Sequence, residues 1–103
     1  MSDHGDQLLR KMRQARGHDS FYRQALAKDE GLPIKYRELV ALGILAFRGV
    51  AEDALINHIR RAFQHGATRA EVLGALEATA VPGGAVTFMH GLRALTKVEH
   101  EGT

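Results

Sequence analysis

The chain has 103 residues, 45% apolar and 25% charged, with fourteen Lys and Arg set against twelve Asp and Glu. That is the size and composition of one globular domain rather than a disordered segment. Without cysteine the chain has no disulfide, thiolate metal ligand or thiol chemistry.

No apolar run approaches the roughly 20 residues that span a bilayer, and the opening MSDHGDQLLRK lacks a signal-peptide core. The chain therefore reads as soluble and cytoplasmic, with no membrane partner. In chain order, helical periodicity predicts short helices over 6–16 and 20–28, with Gly17 as stop and Asp19 as cap. Pro33 then announces a helix that runs through Tyr36-Arg37-Glu38 into the unbroken apolar run Leu39 to Phe47. At about 100° per residue that run covers nearly the whole circumference, which makes it the central helix and suggests a face buried against a partner. Gly43 within it is expected to let a neighbouring backbone approach closely.

An amphipathic helix follows over 52–65, with Leu55, Ile56, Ile59, Ala62 and Phe63 on one face. Arg60-Arg61, the densest basic cluster, lies on its polar side. With no basic stripe and no aromatic platform, no nucleic-acid partner is expected. Gly66 is the expected left-handed stop, and Thr68-Arg69-Ala70-Glu71 is a capping box. The helix it opens is expected over 69–80, with Val72, Leu73, Leu76 and Ala80 inward and Pro82-Gly83-Gly84 as its break. A last helix over 85–98 would carry Val86, Phe88, Met89, Leu92 and Leu95, leaving 99–103 as a frayed polar tail. The prediction is an all-α single domain of five or six helices.

Six histidines invite a search for chemistry. His4 and His100 fall in expected frayed ends, and His18 in a turn. His58 and His65, seven apart on one helix, project about 20° from each other, and His90 is a third candidate. The i,i+4 spacing of a helical metal pair is absent, so no metal is expected. His65 reads as a C-terminal histidine favoured by the helix dipole. Glu38 is the unusual residue in an otherwise apolar helix. It is either a first-turn carboxylate complementing the dipole or a partly buried carboxyl near a histidine, available for proton transfer, and periodicity alone favours the first. There is no phosphate-binding loop and no nucleophile elbow around Ser2 or Ser20.

The stretch Leu32-Pro33-Ile34-Lys35-Tyr36-Arg37-Glu38-Leu39-Val40-Ala41-Leu42 resembles the opening of the carboxymuconolactone decarboxylase family, within the alkylhydroperoxidase D-like superfamily. The likeness continues through His58-Ile59-Arg60-Arg61-Ala62, Gly66-Ala67-Thr68-Arg69-Ala70-Glu71-Val72 and Ala80-Val81-Pro82-Gly83-Gly84, a core of about 32–95 within one domain spanning 1–103.

The resemblance implies an all-α homo-oligomer, commonly a trimer or hexamer, with active sites near subunit contacts. Thiol members of the superfamily carry Glu, then Cys-x-x-Cys, then His; Glu38 and His58 match the outer positions, while Ala51 and Ala54 fall where the cysteines would stand. Thiol peroxidase activity needs an attacking and a resolving thiol, and alanine supplies neither. The decarboxylase branch needs no cysteine pair and no cofactor. It removes CO2 from 4-carboxymuconolactone, which gives an expected carboxy-lyase of aromatic-acid degradation. His58 is then the expected proton donor or electrostatic stabiliser and Glu38 its orienting partner, with Arg37, Arg48, Arg61 and His90 as candidates to hold substrate. The alternatives are a non-catalytic oligomeric scaffold that lost the cysteines, and a redox-accessory protein that docks with a thiol peroxidase.

Overall fold

The computed structural model describes residues 3–14 and 31–101, and every regular element among them is a helix. The chain divides into two units, 1–31 and 32–103. The first contributes α1 (Asp3–Gln14), which starts earlier than the sequence suggests. The predicted helix over 20–28, with Gly17, His18 and Asp19, lies outside the described residues.

The second unit contains α2 (Ile34–Arg48), α3 (Glu52–Gln64), α4 (Arg69–Glu77), the single turn α5 (Ala80–Gly83) and α6 (Ala85–Glu101). The carbonyl of Pro33 accepts the N–H groups of Tyr36 and Arg37, which starts α2 without a side-chain cap. Its end is decided by Gly49, at φ 67°. With that residue left-handed, the Gly49 and Val50 N–H groups turn back to the carbonyls of Ala46 and Leu45. The same device ends α3: Gly66, at φ 92°, donates to Phe63 and Ala67 donates to Ala62, as the sequence predicts for Gly66.

Helix α2 packs against α3, α4 and α6, and α3 packs along α6. Leu42, Leu55, Ile59, Val72, Leu76 and Leu95 are fully buried where these faces meet. Among the described residues only one side of α2 is covered. Tyr36, Val40, Ile44 and Phe47, spaced by four, four and three residues, form an exposed apolar stripe. The neighbour that closes on Gly43 is the side chain of Thr79 and not a backbone: a Cβ at Gly43 would stand 3.3 Å from Thr79 Cγ2.

Four further expectations need correction. Helix α4 ends at Glu77 rather than at residue 80, where Thr79 turns back and donates through N–H and Oγ1 to the Leu76 carbonyl. Pro82 does not break helical structure. It sits within the single turn of α5, where its missing N–H has no intrahelical partner to lose, and Gly84, at φ 85°, makes the break.

The supposed frayed tail is helical to Glu101, because Glu99 pairs with Arg69 and Glu101 with Arg60. On α6 the buried residues are Thr87, Gly91, Ala94 and Leu95, whereas Val86 and Met89 face solvent. Val86 lies two residues, or about 200° of helix turn, from Phe88, so both cannot face the core.

Candidate functional site

Glu38 is the fifth residue of α2, just past the first turn, where a carboxylate would complement the helix dipole. It is fully buried, in line with Leu42 on the core side of the helix. The dipole reading of this residue is therefore overturned. A charge taken out of water costs several kcal/mol even after relaxation, so stability alone gives no reason for a carboxyl here.

The packing of α3 against α2 brings His58 to it, with Nδ1 3.7 Å from Glu38 Oε2. That is an ion-pair distance, beyond the usual hydrogen-bond length. Nδ1 is itself buried, while a quarter of the His58 side chain remains exposed, so the solvent-facing part of the ring lies away from the carboxylate. The arrangement is a ring with one nitrogen turned to a buried acid and its other edge toward water. Ala51 is the N-cap residue of α3 and Ala54 its third residue, so His58 lies one turn beyond Ala54 and about two turns beyond Ala51.

The other candidates are dispersed. Arg37 follows the entry of α2 and donates from Nε to the Leu32 carbonyl at 2.7 Å. Arg48 is exposed in the last turn of α2, at the opposite end from Glu38. Arg61 is exposed on α3, three residues and so one helical turn from His58.

His90 stands apart from the pair. Its Nε2 lies 2.7 Å from the Val50 carbonyl, tying α6 to the turn between α2 and α3. A carbonyl only accepts, so Nε2 carries the hydrogen and donates. Around it is a separate cavity of about 360 Å³, to which Arg93 also contributes; Arg93 was not singled out in the sequence, although it shares a side of α6 with Met89 and His90.

His65 is the C-cap residue of α3, where the dipole reading places it. His100 lies in the last turn of α6 instead of a frayed end. No group of three His, Asp or Glu among the described residues is placed to hold a metal ion.

One sizeable hollow contains neither Glu38 nor His58. It is an apolar groove of about 560 Å³ between the exposed stripe of α2 and the segment from Ala75 to Gly83. Among its described lining residues only Tyr36 and Thr79 carry hydroxyl groups, and the Thr79 hydroxyl donates to the Leu76 carbonyl.

No curated protein and no solved structure matches the chain. A model of the carboxymuconolactone decarboxylase family matches residues 16–97, a span that holds Glu38, His58 and the whole of α2 through α5. With most of its length matched, the chain belongs to the carboxymuconolactone decarboxylase family.

Proposed function

We propose that the chain is a cofactor-free enzyme that moves a proton to carbon on a small carboxylated lactone as the substrate loses CO2. The observation that carries this reading is the buried Glu38 carboxyl facing Nδ1 of a partly exposed His58. Heterolysis of the bond to the carboxylate leaves an electron pair on carbon, delocalised into the lactone carbonyl. Protonated His58 supplies the proton that quenches this carbanion, from the ring edge that faces solvent, and is reprotonated by water. Glu38 acts as a positioning residue: a carboxyl facing Nδ1 fixes which nitrogen the ring presents outward. Arg61, one turn from His58, is the candidate to hold the substrate carboxylate.

The exposed stripe of α2 supports assembly with further copies of the chain, as a trimer or hexamer. It also favours a second reading, a non-catalytic oligomeric scaffold, since burying a stripe requires no chemistry.

The test is CO2 release and ultraviolet change on adding 4-carboxymuconolactone to wild type and His58→Ala in parallel. Turnover that falls about 100-fold or more in the variant supports the proton-transfer reading. No turnover in either protein moves the reading to the scaffold, and equal turnover removes His58 from the mechanism.

A further inference from the structure

We propose that the cavity between the C-terminal end of α2 and the first half of α6 binds a small carboxylate with an apolar body. The cavity measures about 360 Å³ and has walls from Phe47, Val86, Met89, His90 and Arg93. It lies away from the proposed proton-transfer pair. Ala46, on its wall, is eight residues beyond Glu38 along α2, or roughly 12 Å of helix rise, and the cavity shares no lining residue with the pair.

Three features support the assignment. The volume falls within the range of small-molecule sites, mostly apolar with a few convergent polar groups. Val86 and Met89 are 80% and 49% exposed, so a bound apolar body would remove large side-chain surfaces from water. Arg93 is an exposed cation at the rim with no ion-pair partner among the described residues, whereas Lys97, one turn further along α6, is held by Glu52 at 3.0 Å. A guanidinium fits a carboxylate by two parallel hydrogen bonds.

The end of α2 would ordinarily present negative carbonyls to such a ligand. Here the carbonyls of Leu45, Ala46 and Val50 are taken by the N–H groups of Val50 and Gly49 and by the His90 ring. His90 is thereby pinned, and its ring forms a wall already in place before a ligand arrives, which lowers the ordering cost of binding.

The experiment is a titration of the full chain with benzoate, benzamide and acetate, followed by calorimetry and by amide chemical shifts. Benzoate is expected to shift Val86, Met89 and Arg93 and to bind at least tenfold more tightly than its neutral amide or acetate. Arg93→Gln should weaken benzoate at least tenfold. Val86→Glu, at a position 80% exposed, should do the same by placing a carboxylate on the wall. His58→Ala should leave binding unchanged. Equal binding of benzamide or acetate, indifference to both cavity variants, or shifts centred on His58 or on the Tyr36–Ile44 stripe would overturn the assignment.

Discussion

Glu38 and His58 come from successive helices, and their packing sets Oε2 of a fully buried carboxyl 3.7 Å from Nδ1 of a ring that still reaches solvent. Replacing both members of a buried ion pair with well-packed apolar side chains is often neutral or stabilising by about 1–4 kcal/mol, whereas removing one member alone leaves the other uncompensated. The double variant Glu38→Leu/His58→Leu is accordingly expected to melt at or above the wild-type temperature, while Glu38→Gln, which keeps the side-chain shape, should fold and lose lactone turnover. A double variant that melts well below wild type would show that the pair serves the fold instead.

The glycines of α4 and α6 should respond in opposite directions to alanine. At Gly91 a Cβ would clash with Cδ2 of Leu76, a fully buried side chain. Gly91→Ala should therefore cost about 1–3 kcal/mol through overpacking. At Gly74 nothing lies within 4 Å, and Gly74→Ala should stabilise α4 by roughly 0.5–1 kcal/mol. Urea titration of both variants against wild type reads the two signs directly.

The capping box of α4 offers a stability test with a pH signature. Thr68 Oγ1 accepts from the Glu71 N–H at 3.1 Å, and Glu71 Oε1 accepts from the Thr68 N–H at 2.9 Å. Thr68→Ala should cost about 1 kcal/mol. The Thr68 backbone donor first, and then Lys35, hold the Glu71 carboxyl below the usual carboxylate range. A group lowered on folding adds stability above its unfolded pKa and loses it as pH falls through the folded value. Glu71→Gln should thus flatten the acid limb of the stability curve below the carboxylate range. In the same pair Lys35 is raised, chiefly by its hydrogen bond to Glu71. Its share is complete below the ordinary lysine pKa and disappears as pH rises through the raised value, so the same variant should also soften the alkaline limb. Unchanged pH dependence at both ends would mean that solvent screens the pair completely.

The stripe on α2 predicts the state of assembly. Ile44 lies in its middle and is exposed within the chain, so Ile44→Glu should leave the melting of the isolated subunit close to wild type. If copies associate through this face, a buried glutamate should dissociate them, read as a fall in sedimentation coefficient. A wild-type chain that already sediments as a monomer would remove the assembly proposal.

Local signals located most of the helices because their causes are local. Thr68 and Glu71 satisfy each other across three residues, Gly66 supplies a left-handed turn, and the apolar face of α3 repeats at the helical period. The errors occur where distant contacts override local preference. The polar end of α6 remains helical because Arg60 and Arg69, more than twenty-nine residues away in sequence, hold Glu101 and Glu99. Likewise, nothing near His90 in sequence announces that its ring is tied to the Val50 carbonyl forty residues earlier.

The sequence by itself determined the helical class, the capping at Thr68, the stop at Gly66 and, through the absence of cysteine, the exclusion of thiol chemistry. These follow from composition and from interactions spanning a few residues. Tertiary structure alone decided that Glu38 is buried and faces His58, and that the stripe from Tyr36 to Phe47 is left open. A helix apolar around nearly its whole circumference carries no local sign of which side its neighbours will cover. That choice belongs to the packing of α3, α4 and α6 against α2, and with it the environment of every side chain the helix carries.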